Sequence, residues 1–187
     1  YDLAEPDRLN DAQVYDDYDF IFLNCSNDIA PGRAAGLRRW VARGGTLYAS
    51  DWAYEYVSAN FQGRIHFPGR PKLGEVGTVD VRSPIPGLIP IHESRPIQFD
   101  LVSWVVISGL GSSVDVLYHA DCGKANCRSG RPYAAMFRHG QGAVYFTSFH
   151  LHAQTSEIEM SLLRKVIDHA ALEPLTRDGI EILRRGR

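Results

Sequence analysis

The stretch Arg43-Gly44-Gly45-Thr46-Leu47-Tyr48-Ala49-Ser50-Asp51-Trp52-Ala53-Tyr54-Glu55-Tyr56-Val57 constrains this chain more than any other. A paired glycine ends a helix readily, because it tolerates the left-handed backbone of a C-cap. Leu47, Tyr48 and Ala49 then make a short apolar run, the mark of a strand buried on both faces. Asp51 stands where that strand gives way to a helix from about Trp52 to Asn60. Ligands of open α/β sheets bind in the crevice at the carboxyl ends of the strands. Asp51 therefore marks the first place to look for function.

The elements around this stretch repeat its logic. Asp19-Phe20-Ile21-Phe22-Leu23-Asn24 is a second apolar run, expected as a strand buried on both faces. It ends in the polar loop Asn24-Cys25-Ser26-Asn27-Asp28. Pro31 suits a first helical turn, and Ala34, Ala35, Leu37, Trp40 and Val41 are spaced as one helix face running to Arg43. Strand, helix, strand, helix with short links implies parallel pairing and right-handed crossovers.

The middle breaks the pattern. Residues 63–100 hold six of the ten prolines. Glu75 to Val81 alternates like a half-exposed strand, Ile97 to Asp100 is a short strand-like piece, and Leu101 to Ser108 is apolar and β-rich. Val114 to His119 reads as a clear strand. Residues 63–120 are expected as an irregular β-rich insertion within a single domain spanning 1–187. Tyr133 to Arg138, the turn His139-Gly140-Gln141-Gly142 and Ala143 to Phe149 read as a hairpin. Ser156 and Glu159 have capping-box spacing ahead of a helix with Met160, Leu163, Val166, Ile167 and Ala170 on its buried face.

A chain of 187 residues can bury one substantial core. A formal net charge of -2 argues against a nucleic-acid surface over the whole domain. No apolar run is long enough for a membrane span, and no secretory segment is visible. Three cysteines make no disulfide framework.

Two stretches taken together resemble the ThuA-like branch of the class I glutamine amidotransferase-like superfamily. The first runs from Tyr18-Asp19-Phe20-Ile21-Phe22-Leu23 through a helix to Trp40-Val41-Ala42-Arg43-Gly44-Gly45-Thr46-Leu47-Tyr48. The second, Gly140-Gln141-Gly142-Ala143-Val144-Tyr145-Phe146-Thr147-Ser148-Phe149-His150, is similar to the strand that delivers the superfamily's histidine. The resemblance implies a flavodoxin-like three-layer sandwich with a mostly parallel central sheet. It also implies an opening strand and helix ahead of Tyr18, where only 17 polar residues stand here. Either upstream sequence supplies that strand or the sheet lacks it. In amidotransferases the turn after the central strand carries a nucleophilic cysteine, and the later histidine is followed two residues on by glutamate. Here the turn holds Ser50-Asp51-Trp52, and His150 is followed by His152. Glutaminase chemistry is not expected.

Ser50 with His150 as its base is one candidate catalytic pair; the plainer role for Ser50 is a helix cap. Asp51, His150 and His152 offer a carboxylate and two imidazoles to a divalent metal; the plainer role for Asp51 is to cap the helix at Trp52. Asn24, Cys25, Asp51, Trp52, His150 and His152 would line the crevice as ligand-binding residues. His119, Cys122, Cys127 and His139 have spacing compatible with zinc, against a local disulfide or free thiols. The expectation is a noncatalytic domain that binds a protein partner or a polar small molecule inside a larger bacterial-type protein or assembly. The alternative is a hydrolase, using Ser50 with His150 or a metal held by Asp51, His150 and His152. No cofactor beyond a divalent metal is suggested, nor any nucleic-acid partner or membrane insertion.

Overall fold

In the computed structural model the Gly44-Gly45 turn leads into a strand with every residue buried, Thr46–Ser50. The structure describes residues 6–25, 35–68, 77–90, 92–120 and 130–177. In chain order the strands are β1 Phe20–Asn24, β2 Thr46–Ser50, β3 Ile65–His66, β4 Gly77–Arg82, β5 Arg95–Phe99, β6 Gly109–Leu110, β7 Val114–Ala120, β8 Pro132–His139 and β9 Gly142–Thr147. The α-helices are α1 Val14–Asp17, α2 Ala35–Ala42, α3 Tyr54–Asn60 and α4 Ser156–Arg177. Among the described residues the main sheet has seven strands in the order β1-β2-β9-β8-β7-β4-β5, and β3 pairs with β6 separately.

β2 lies between β1 and β9 and is parallel to both, with Asn24, Ser50 and Thr147 in register at the same edge. The remaining pairings, β9-β8, β8-β7, β7-β4 and β4-β5, are antiparallel. The expected flavodoxin-like sandwich with a mostly parallel sheet is thus not what forms. The sheet is mixed and curled. Phe99 of β5 and Tyr133 of β8 stand three strand positions apart, about 14 Å in a flat sheet. Their rings nevertheless come to 5.7 Å between centroids. The physical reason for the mixed topology is that hairpins and meanders, not crossover helices, connect the strands after β4. The proline-rich stretch expected as an insertion supplies β4, β5 and β7 of this same sheet. Pro96 is tolerated because β5 is the last strand of the sheet among the described residues.

Each face of the sheet has its own core. Leu37, Trp40 and Val41 of α2 and Tyr56 and Val57 of α3 pack with Leu47, Ala49, Phe137, Val144 and Phe146. On the other face Ile158, Leu162 and Val166 of α4 pack with Tyr48, Met136, Tyr145 and Phe149. That helix buries a different stripe from the one expected. Met160 and Ile167 are each 51% exposed, because the i, i+4 row Ile158-Leu162-Val166 turns inward instead. β1 also differs from expectation. It ends the sheet among the described residues, and Phe22 is 44% exposed. Leu101–Ser108 forms no ladder strand; it crosses as buried extended chain through Val105, Val106 and Ile107.

The two glycine motifs noted in the sequence lie against each other. Gln141 N–H donates to the Ala42 carbonyl at 3.0 Å and Ala143 N–H to that of Gly45 at 3.4 Å. A Cβ on Gly142 would sit 2.2 Å from the Gly45 carbonyl oxygen and 2.3 Å from that of Val41. Both obstacles are backbone and cannot swing away. Gly142→Ala is therefore expected to destabilise the fold by about 1–3 kcal/mol, the usual cost of overpacking, read as a lower urea midpoint with unchanged slope.

Candidate functional site

Cys25, Asp51 and His150 meet beyond the parallel edge set by β1, β2 and β9. Each follows the carboxyl end of one of these strands, so in-register pairing delivers all three to one place. Cys25 and Asp51 both have left-handed backbones, φ 50° and 46°. Such values are uncommon for non-glycine residues, and here they turn the two side chains toward each other. The Cys25 thiol donates to Asp51 Oδ2 at 3.7 Å, while the backbone N–H of Val105 donates to Oδ1 at 2.7 Å.

His150 is held from several sides. Tyr48 O–H donates to Thr147 Oγ1 at 2.8 Å, and that hydroxyl donates onward to the Phe149 carbonyl at 2.8 Å. Gln154 Nε2 donates to the carbonyl of His150 itself at 2.8 Å. The imidazole Nδ1 bonds Asp100 Oδ1 at 2.9 Å, and Nε2 faces Asp51 Oδ2 at 3.6 Å. Nε2 is buried and makes no hydrogen bond among the described residues. His152 stacks on His150 with ring centroids 5.3 Å apart and approaches Asp100 Oδ2 at 3.8 Å, but its side chain is 76% exposed.

The electrostatics follow from this enclosure. Asp51 is 1% exposed. Burial pushes its carboxyl up, opposed by the Val105 N–H, His150 and Cys25. The Cys25 sulfur, and after burial's opposing effect the Asp100 carboxylate, push the His150 imidazole up to about 9.

The sequence-derived candidates divide accordingly. Asp51 and His150 come together as expected. Cys25 joins them. His152 is linked to His150 through Asp100, whereas Asp51 meets the other ring nitrogen. Asp51 does not cap the following helix. It lies inside a 3-10 turn, Asp51–Ala53, and its carboxylate is committed to Val105. Ser50 stands at the cap position without a side-chain cap bond, and its hydroxyl is buried with no partner among the described residues. Asn24 is exposed at the end of β1, and Trp52 packs on Tyr54. The zinc set of His119, Cys122, Cys127 and His139 does not gather its histidines. His119 pairs with Pro132, whereas His139 ends β8 at the opposite end and packs on Phe61. Cys122 and Cys127 lie outside the described residues.

Asp100 and the Val105 amide were not foreseen. Asp100 follows β5, which runs in the same direction as β9 only because four antiparallel steps separate them. The one sequence signal was a carboxylate directly after an alternating strand.

No protein-family model and no curated protein sequence matches the chain significantly. Solved structures do. The β-galactosidase from Bacillus circulans sp. alkalophilus aligns over 82% of this chain at 17% identity, with a TM-score of 0.61. The likeness is one of fold. This chain spans 23% of that enzyme's length. The cytoplasmic protein STM3548 from Salmonella typhimurium aligns over 87% of this chain and 76% of its own, at 14% identity and a TM-score of 0.58. A putative GMP synthase protein from Thermoplasma acidophilum aligns over 90% and 81%, at 12% identity and a TM-score of 0.56. At 12–17% identity all three likenesses concern the fold alone. No helix among the described residues is long and apolar enough to cross a membrane.

The raised value of His150 has a definite pH signature. A group protonated more readily when folded adds stability below its unfolded value, ordinarily 6.5, and loses it as pH rises through about 9. In the presence of a chelator, resistance to urea is expected to fall between about pH 6 and pH 10. His150→Gln should flatten that fall, as equilibrium unfolding at several pH values will show.

Proposed function

We propose that the chain is a noncatalytic ligand-binding or protein-interaction domain of amidotransferase-like fold, acting within a larger protein or assembly. The observation that carries this reading is the residue at the sharp turn after β2. A nucleophile elbow must present an exposed attacking atom on a strained backbone. The strained backbone is present, at φ 46°, but the residue is Asp51, buried and pinned by the Val105 amide. Ser50, the adjacent hydroxyl, is 0% exposed. The place of the nucleophile is thus taken by a group held inside the protein.

Membership of a larger protein is supported by the β-galactosidase, in which a region of this fold makes up 23% of the chain. Assignment to the ThuA-like branch, from Tyr18-Asp19 and the Gly44-Gly45 turn, belongs to the same proposal. The ligand is taken to be polar, met at the edge where His152 stacks on His150 and where Asn24 and Trp52 adjoin Cys25 and Asp51 in the chain. A hydrolase reading has one observation in its favour: Asp100 orients His150 at 2.9 Å, as a general base requires. It lacks a hydroxyl engaged by that base, since Ser50 Oγ makes no hydrogen bond among the described residues.

Activity separates the two. The purified chain is expected to release no ammonia from glutamine and to hydrolyse activated esters no faster than buffer. Ser50→Ala should leave that background unchanged. Ester hydrolysis that disappears in both Ser50→Ala and His150→Gln would replace the binding domain with a serine hydrolase.

A further inference from the structure

We propose that Cys25, Asp51 and His150 form a binding centre for a divalent metal ion of the zinc class. The proposal goes beyond the binding-domain reading and does not depend on whether the domain is catalytic. One sulfur, one carboxylate oxygen and one imidazole nitrogen lie within 4.8 Å of one another. Zinc takes all three donor types, at about 2.3 Å for sulfur and about 2.0–2.2 Å for nitrogen and oxygen. Tetrahedral coordination at those lengths sets nitrogen about 3.4 Å from oxygen and sulfur about 3.6 Å from oxygen. The distances here are 3.6 Å from His150 Nε2 to Asp51 Oδ2 and 3.7 Å from Cys25 Sγ to the same oxygen. The gap is too wide for a good hydrogen bond to the imidazole and matches the separation of two ligands around one ion.

A separate observation points into this space. His150 is 6% exposed, yet its Nε2 has no hydrogen-bond partner among the described residues. This nitrogen faces Asp51 Oδ2 at 3.6 Å; a buried polar atom that makes no hydrogen bond is costly, and coordination would satisfy it. The surroundings also fit a metal ligand set. Ligating histidines usually give their other ring N–H to a carboxylate, and ligating carboxylates are themselves hydrogen-bonded. Asp100 takes Nδ1 of His150, and the Val105 N–H holds the second oxygen of Asp51. On binding, the Cys25 thiol loses its proton to solvent and His150 coordinates as a neutral imidazole with its proton on Nδ1. Three ligands leave a tetrahedral ion a fourth position, open to water or to an oxygen of a bound ligand. His152 is not part of the set; it contacts Asp100, the carboxylate that orients His150.

The test uses the whole chain, stripped with EDTA and titrated with Co²⁺. Thiolate-to-cobalt charge-transfer absorption is expected, saturating at one ion per chain and bleached by Zn²⁺. Cys25→Ser should abolish the band, while a Cys122→Ser, Cys127→Ser double variant should keep it. Asp51→Asn and His150→Gln should weaken Zn²⁺ binding by about tenfold or more, and Asp100→Asn by about 10–100-fold through its hold on His150. Circular dichroism in EDTA establishes that each variant is folded. Should one unfold, the spectra of the wild type and of the double variant still decide. Absence of the band in the stripped wild type overturns the proposal. So does a band that survives Cys25→Ser, or one lost in the double variant.

Discussion

The parallel register of β1, β2 and β9 is the constraint on which the rest of this molecule depends. β2 and β9 are buried along their whole length, so a one-residue slip would exchange the two cores. With register fixed, Asn24, Ser50 and Thr147 end level with one another, and the residues just beyond must share one edge. The site is a consequence of strand pairing before it is a matter of side-chain chemistry. The glycines at the other end of these strands serve the same purpose, by letting the β8-β9 turn seat on the end of α2.

Much of this half was legible in the sequence, and the reason is locality. A continuous apolar run, a paired glycine and a helical face each declare themselves within a dozen residues. The convergence of Asp51 and His150 follows from two such runs being parallel. The sheet as a whole was not legible, because pairing such as β4 with β7 depends on contacts distant along the chain. The 101–108 segment shows the limit clearly. Its composition is that of a strand, but the N–H of Val105 goes to a carboxylate and that of Ser108 to the His66 carbonyl. Hydrophobicity reported its burial correctly and its pairing not at all. In α4 both Met160 and Val166 were expected inward; a helix with several apolar rows leaves the choice of row to its neighbours.

The site residues themselves show how tertiary context reassigns a familiar type. Sequence rules make Ser50 and Asp51 helix caps, since both residue types favour that place. In the fold neither side chain caps the turn. Asp51 is spent instead on an amide from another part of the chain, and the imidazole of His150 stands between it and a second carboxylate, Asp100. Burying Asp51 without that amide and that imidazole would leave a charge unpaired in the interior, which is among the more expensive defects a protein can carry.

The left-handed backbones at Cys25 and Asp51 bias how this site can change by descent. At each position glycine relieves the backbone, so a single substitution to glycine erases a donor while easing local strain. Aspartate and asparagine bear that backbone with less strain than most side-chain-bearing residues, and cysteine with more. Loss is thus conformationally downhill and recovery uphill. Lineages of this fold that stop using the edge should drift toward glycine at these two turns, whereas β-branched residues would be shut out whether the edge is used or not.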